Sequence, residues 1–363
     1  MRKLIFDNHF NYDFIKRMIR WHIKYYFFGK GSPINAGVYI TDACNSRCIM
    51  CDIWKTKNTS IYPRHEQEQA IDELSRVGCY YYSVSGGEPT LIKDLPDRLA
   101  YAARKIPYVH LVTNGLSMTA ELARAIGSSG IKEISISIDG SEKLHNTLRG
   151  LPNAYDKTWS ALDIILTYAP KIHVVVNSLL TPYSLDSLRA LGDQLSVFPH
   201  VHQKYLPLSY HELFRNENRK SLSFMWEAAS ASEIKKFLED ARKMTRIVNS
   251  TIFLKMAENY FNGEQNQVLK QHFCLYPFHS IEFDSKGFAY PCITGMNFKK
   301  GIPPGSNLKK HLKSLDHCNL QKKLKECRKC KSTMMLCYYE PRLNFPLHNL
   351  FTGFLTSRFS KLN

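Results

Sequence analysis

No stretch of the chain stays apolar for the ~18 to 20 residues that a membrane-spanning helix requires, and runs such as Val174 to Val176 end after a few positions. A spanning topology is therefore not expected. The sequence also lacks an internal repeat and a low-complexity tract, which argues against solenoid and disordered classes. Met1 to Phe10 holds Asp7 and no apolar core followed by a small-residue cleavage site, so no secretory signal is expected and a cytoplasmic protein is. In that compartment the ten cysteines read as reduced thiols free to bind metal, not as disulfides. Acidic charge is scarce at both ends. Residues 1–33 carry seven basic and two acidic side chains, residues 34–270 carry 27 and 25, and residues 271–363 carry 15 and 5. Anionic partners, phospholipid head groups or nucleic acid, should meet the ends and not the nearly neutral centre.

The centre alternates β-rich runs with helical periods. Strands are expected at Ala36 to Thr41, Tyr80 to Val84, Val109 to Thr113, Glu133 to Ile138, Ile172 to Leu179 and Val201 to Tyr205, with amphipathic helices between them. Six such repeats imply a parallel sheet wrapped by helices. Nearly every strand ends on a residue suited to a site: Cys44, Glu88, Asn114, Asp139 and Asn177. Polar residues after so many strands fit a barrel, whose strand ends converge on one face, better than an open sheet with a single switch point. The expected fold is a partial (β/α)6 TIM-like barrel over 34–215. A basic amphipathic N-terminal helix (1–33) precedes it; a helical extension (216–270, with helices Ser232 to Asn249 and Ile252 to Lys270), a small cysteine-rich domain (271–340) and a basic aromatic tail (341–363) follow.

Cys44-Asn-Ser-Arg-Cys48-Ile-Met-Cys51 is the sharpest chemical signal. Three thiols within eight residues, directly after a strand, can hold several soft metal ions on one side of a short loop. A structural zinc ion is the plainer use of such thiols, but zinc normally takes four protein ligands and no further Cys or His follows until His65. Three thiolates on a four-iron cluster leave one iron open for a cofactor or substrate.

This spacing, followed after the second strand by Gly86-Gly87-Glu88-Pro89, resembles the radical S-adenosylmethionine (SAM) family. The resemblance implies a catalytic [4Fe-4S] cluster on Cys44, Cys48 and Cys51, with SAM chelated at its open iron. It places the backbone of Gly86 and Gly87 and the Glu88 carboxylate beside the methionine ammonium group, and Ser137 and Asp139 at the ribose and methionine carboxylate. Arg149 would grip that carboxylate and Asn114 would face the cofactor, with Asn177 on the neighbouring strand. Asp139-Gly140 and Asn114-Gly115 also suit plain turns, Glu88 a helix entry and Arg149 a solvated helix end. His202, Gln203, Lys204 and Tyr205 close the sixth strand, where alternate residues can face substrate.

Cys274, Cys292, Cys327, Cys330 and Cys337, with Gly287 five residues before Cys292, are similar to the auxiliary-cluster modules called SPASM and twitch. The full SPASM pattern places another cysteine where this chain has Pro341, so one auxiliary [4Fe-4S] cluster is expected, on Cys274, Cys292, Cys327 and Cys330. Cys337 is a substitute ligand or near neighbour. A zinc ribbon on the same four residues is the alternative. Cys79 and Cys318 read as ordinary small residues, and His272 and His279 as packing or surface histidines.

The resemblance implies an enzyme that reductively cleaves SAM to a 5′-deoxyadenosyl radical and abstracts a hydrogen atom from an unidentified peptide, lipid or other small molecule. It further implies a one-electron reductant such as flavodoxin or ferredoxin, and an auxiliary cluster that takes an electron from the substrate radical. Phe14, Ile15, Met18, Ile19, Ile23 and Tyr26 recur at helical spacing among Lys16, Arg17, Arg20 and Lys24. That helix fits either docking under the barrel or contact with a membrane surface through residues 1–30, which would make the protein peripheral at the inner face. The segment Phe345 to Phe359 repeats the theme, and two such ends point toward a lipid or lipid-linked substrate. A noncatalytic zinc-stabilised protein, binding nucleic acid or membrane through the basic ends, is the contrasting class.

Overall fold

The computed structural model describes residues 12–209, 225, 229–263, 274–296, 299–327, 330 and 334. After helix α1 (Tyr12–Phe28) come β1 (Asn35–Tyr39), α2 (Arg64–Val77), β2 (Tyr81–Ser85), α3 (Leu95–Lys105), β3 (Tyr108–Thr113), α4 (Ala120–Ser128), β4 (Glu133–Ser137), α5 (Glu142–Arg149), α6 (Ala154–Tyr168), β5 (His173–Leu180), α7 (Leu185–Gln194) and β6 (Val201–Pro207). These six strands are all parallel and stand in sequence order, β1 beside β2 through to β6. Each helix returns the chain to the start of the next strand, as right-handed crossovers do. The partial barrel expected from the alternation is present, with strand limits within a residue or two of those read from the sequence.

One face of the strands meets the helices. Ala36, Val38, Tyr82, Val84, Val109, Leu111, Ile134, Ile136, Val174 and Val176 form a buried core with Ile71, Leu74, Leu99, Ile126, Leu162 and Ile165. Local signals set the helix ends. Thr119 accepts a hydrogen bond from Leu122 N at 3.2 Å to start α4, and Gly78 (φ +93°) and Gly150 (φ +65°) close α2 and α5 in the left-handed conformation that favours glycine.

The other strand face lines the interior of the half-barrel and is polar. Tyr81 OH and Ser83 Oγ lie 2.7 and 2.8 Å from His110 Nδ1, and Ser135 Oγ lies 2.8 Å from His110 Nε2. Tyr108 OH donates to Glu133 Oε2 at 2.5 Å, and Lys204 Nζ is 3.7 Å from Glu133 Oε1. Burial by itself would raise the Glu133 carboxyl, but His110, Lys204 and the Tyr108 hydroxyl hold it down at about 2. Burial holds the His110 imidazole down at about 4.

Beyond β6 come α8 (Ala231–Lys243), started by the Ser230 and Glu233 capping box, and α9 (Thr251–Phe261). Both are shorter than the expected Ser232 to Asn249 and Ile252 to Lys270. After Lys243 the chain leaves the helix because the outer edge of β6 has unpaired peptide groups to satisfy. Gln203 N donates to Arg246 O and Val248 N to Gln203 O, both at 3.0 Å. Asn249 then acts as a substitute strand, its Oδ1 accepting from Tyr205 N at 2.7 Å and its Nδ2 donating to Tyr205 O at 2.9 Å. Gly263 (φ +77°) follows the end of α9, and residues 264–273 lie outside the described residues.

The cysteine-rich region joins the same sheet. β7 (Ser280–Phe283) runs parallel to β1, and β8 (Ala289–Tyr290) turns back antiparallel to β7; α10 (Leu315–Lys325) follows. At the opposite end of the strands from their C-terminal mouth, α1 packs Phe14, Met18, Trp21 and Tyr25 against Ile34, Tyr80, Tyr108 and Phe278. Trp21 Nε1 donates to Phe278 O at 3.1 Å. Docking under the barrel, one of the two uses expected for this helix, accounts for one of its faces.

The buried imidazole makes stability pH-dependent. Between an ordinary value near 6.5 and its folded value of about 4, His110 binds a proton only when the chain unfolds, so stability should fall with pH across that window by up to ~3 kcal/mol. Glu133 adds a further loss as pH drops from the usual carboxyl range toward 2. Urea titrations at pH 7 and pH 5 should show a lower midpoint at pH 5, and His110→Asn should shrink the difference. An equal difference in the variant would assign the acid sensitivity elsewhere.

Candidate active site

β1 delivers the chain to the cysteine loop at the mouth, and two backbones hold that loop. On one side is the end of α5. Arg47 N and Ile49 N donate to Arg149 O and Leu148 O at 3.0 and 2.9 Å, and Ser46 Oγ donates to Arg149 O at 3.2 Å. The last carbonyls of a helix have no partner within it, and here the cysteine loop supplies one. Gly150 makes the approach possible, since a Cβ there would lie 2.3 Å from Arg47 O.

On the other side is the Gly-Gly-Glu-Pro turn after β2. Gly87 N donates to Thr41 O and Glu88 N to Ala43 O, both at 2.7 Å. A Cβ on Gly86 would stand 2.5 Å from Thr41 O, and one on Gly87 2.1 Å from Ala43 O. The glycines thus make room for the strand-to-loop backbone of this same chain.

Glu88 is fully enclosed. Its Oε1 accepts from Thr90 N (3.1 Å), Thr90 Oγ1 (2.6 Å) and Thr113 Oγ1 (2.6 Å), and its Oε2 from Asn114 N (2.7 Å). Burial pushes its carboxyl up from the usual range, and these donors counter that push. The carboxylate therefore ties β2 to the end of β3 and sets Asn114, whose Nδ2 donates to Asn45 Oδ1 at 2.9 Å and points at Cys44 Sγ from 3.9 Å.

A second buried acid does the same on the far side. Asp139 Oδ2 accepts from Arg149 Nε at 2.7 Å, and its Oδ1 accepts from Leu179 N at 3.0 Å. Burial works against its ionisation, but Arg149 and then His145 hold the carboxyl well below the usual range and keep it charged. Arg149 Nη1 then faces Cys48 Sγ at 3.8 Å. Ser46, Arg47, His145, Leu148 and Gly150 were not singled out from the sequence. Of these only Gly150, a helix-ending glycine after a basic residue, carried a readable signal.

Ser137 and Asn177 are register partners, and Asn177 pairs in turn with Lys204. They form a polar row across β4, β5 and β6. Among the described residues Asn177 Oδ1 has no hydrogen-bond partner although it is buried.

Burial pushes the thiols of Cys44 and Cys51 up to about 11 and about 12, against N–H groups at Ser46 and Ile53 that favour the thiolate. Both stay neutral until a metal ionises them. Soft sulfur donors, flanked by the Arg149 cation and by N–H groups, form a set that suits an iron-sulfur cluster.

In the C-terminal region Cys274 and Cys292 are buried, and Cys330 packs with them against Leu324 and Met334. Burial raises the Cys292 thiol well above its ordinary value, followed by the nearby Glu282, Cys330 and Cys274. Cys327 stands just beyond α10, its N–H on Leu324 O at 3.0 Å. Cys337 lies outside the described residues. Cys79 is a buried core residue, and His279 is enclosed with its Nδ1 2.7 Å from Ser280 Oγ.

The close approaches give a direct test. Gly87→Ala and Gly150→Ala should displace the cysteine loop, so that anaerobically reconstituted variants lose more than about half of the iron held there while the C-terminal site keeps its own. Iron analysis in a background lacking Cys274, Cys292 and Cys330 reads the loop alone. Full loading of both variants would show that the loop tolerates the added Cβ.

Residues 38–200 match the radical SAM superfamily. An AdoMet-dependent heme synthase of Methanosarcina barkeri is 30% identical over 132 residues, 35% of this chain and 37% of that protein. Mycofactocin maturase MftC of Mycolicibacterium smegmatis is 30% identical over 165 residues, 44% of this chain and 41% of that protein. The chain thus spans less than half the length of these curated relatives. Among solved structures, Streptococcus suis SuiB bound to precursor peptide SuiA aligns with a TM-score of 0.65 at 15% identity, covering 94% of this chain and 78% of that one. Native anSMEcpe with bound AdoMet and Cp18Cys peptide aligns with a TM-score of 0.56 at 16% identity, covering 91% and 98%. The cysteine loop, the Gly-Gly-Glu-Pro turn and the strands β2 to β5 fall within the span that matches the radical SAM superfamily.

Proposed function

We propose that the protein is a radical SAM enzyme that modifies a peptide, with Cys44, Cys48 and Cys51 holding its catalytic [4Fe-4S] cluster. The observation that carries this reading is the cysteine loop clamped between α5 and the Gly86-Gly87 turn, with Arg149 and Asn114 directed at its sulfurs. A cluster held there by the three cysteines, with SAM at the iron that no protein sulfur takes, would supply the electron for reductive cleavage of SAM and so the means to remove a hydrogen atom from the substrate.

The side chains divide the remaining work. Glu88 and Asp139 brace the frame through oxygens engaged with the protein, and the backbone of Gly86 and Gly87 would meet the methionine ammonium group. Arg149, fixed through Nε, offers its other nitrogens to the cysteine sulfur and to the methionine carboxylate. Asn114 orients the loop from the β3 side. Ser137, Asn177 and Lys204 extend into the polar interior, where they can fix a substrate's amide or carboxylate groups. An auxiliary cluster on Cys274, Cys292 and Cys330, completed by Cys327 or Cys337, would take the electron of a substrate radical. A flavodoxin or ferredoxin would deliver the electron that starts the reaction, in the cytoplasm or at its membrane face.

Peptide is preferred over lipid and over other small molecules for two reasons. The PqqA peptide cyclase of Rhodopseudomonas palustris, 28% identical over 114 residues, acts on a peptide by its name, and MftC is named a maturase. The likeness to the peptide-bound SuiB also runs through the cysteine-rich region.

Anaerobic reconstitution should load about eight irons, and reduction with SAM should release 5′-deoxyadenosine. Changing Cys44, Cys48 and Cys51 together to Ala should leave about four irons and no 5′-deoxyadenosine. Cleavage that survives the triple change, or zinc in place of iron, would overturn the assignment. A short peptide encoded beside the gene should raise 5′-deoxyadenosine release several-fold and change mass; stimulation by iron-coproporphyrin III alone would move the chain to the heme side of its relatives.

A further inference from the structure

α1 has two apolar faces, and the barrel uses only one. Phe14, Met18, Trp21 and Tyr25 are docked, whereas Ile15, Ile19, Ile23 and Tyr26, three and four residues apart, share a neighbouring stripe that faces outward. Ile19 is 56% exposed, and Phe27 and Phe28, at the end of the helix, are 80% and 68% exposed. A contiguous exposed stripe of this kind marks a contact site. Lys16, Arg20 and Lys24 are exposed along the same helix and Lys30 just beyond it, and from Phe14 to Lys30 the sequence has five cations and no carboxylate.

We propose that α1 is an interfacial helix that seats the N-terminal face of the half-barrel on an anionic lipid bilayer. An apolar stripe entering the acyl boundary while flanking cations meet phosphate groups is how such helices bind, and each cation near an anionic surface strengthens the attachment. A second copy of the chain is a poorer occupant. A two-fold contact would set the carboxylate-free stretch from Phe14 to Lys30 against itself and oppose like charges. Nucleic acid would satisfy the cations but leave the isoleucines and phenylalanines in water.

The orientation has a consequence for substrate access. α1 lies under the starts of β2 and β3, through Tyr80 and Tyr108, while the cysteine loop follows the C-terminal end of β1. Strands of this length separate the two faces by roughly 20 Å. A bilayer under α1 therefore leaves the mouth turned toward solvent, so membrane contact localises the protein and does not feed lipid into the site. This argues against the lipid substrate suggested by the two basic ends.

The test uses the full chain and needs no SAM chemistry, so it is independent of the proposed reaction. Sedimentation with phosphatidylglycerol–phosphatidylcholine vesicles should pellet the protein, pure phosphatidylcholine should pellet much less, and added salt should release it. Ile19→Glu with Phe27→Glu should weaken pelleting at least about tenfold with no loss of thermal stability, because both side chains are exposed. Wild-type protein that stays in solution, a double variant that pellets equally well, or a dimer that the variant abolishes without any vesicle binding would each overturn the proposal.

Discussion

Three backbones meet at the mouth of the half-barrel at distances that only glycine allows. The cysteine loop hydrogen-bonds to the last carbonyls of α5 on one side and to the Gly-Gly-Glu turn on the other, and any Cβ at Gly86, Gly87 or Gly150 would enter a carbonyl oxygen. Positions rather than side-chain chemistry are fixed here. The three sulfurs acquire their placement from a loop whose peptide groups are bonded to both neighbours. Glu88 and Asp139 then act as buried braces, each spending its oxygens on the chain and presenting a neighbour, Asn114 or Arg149, to a sulfur. A brace of this kind orients contacting groups without touching the reactants, much as outer-shell residues orient metal ligands.

The rest of the molecule supports that mouth in two ways. The helices take up the hydrocarbon of the strands on one face, which frees the inner face to be polar. Charged groups are tolerated there because His110, Tyr108, Lys204 and Ser135 satisfy Glu133 and one another, where an unpaired buried charge would be strongly destabilising. The cysteine-rich region is bonded into the sheet through β7 and β1 and held from below by Trp21 on Phe278 O.

Much of this was legible in the sequence. Alternating β-branched runs located six strands closely, and the cysteine loop and the Gly-Gly-Glu-Pro stretch, both visible in the sequence, lie side by side in the fold. What the sequence hid depended on distant partners. Residues 244–249 sit in a segment with helical charge alternation, and only the unpaired edge of β6 makes them extended. The twofold apolar character of α1 was visible as composition, but its division into docked and exposed stripes required Ile34, Tyr80, Tyr108 and Phe278 to be present. The glycines at 86 and 87 also let the strand-to-loop backbone of this chain come close, which their spacing in the sequence does not reveal. Asp139 and Glu88 were picked out as contact residues, and their hydrogen bonds to Leu179, Thr113 and Asn114 depend on partners far away in the sequence.

The account reduces to whether SAM binds directly at a vacant iron of the cluster on Cys44, Cys48 and Cys51. Electron paramagnetic resonance of the reduced protein, in a variant lacking Cys274, Cys292 and Cys330, isolates that cluster. Adding SAM should change its g-values, because a coordinating amine and carboxylate alter the iron they bind. A spectrum that is the same with and without SAM would contradict the account.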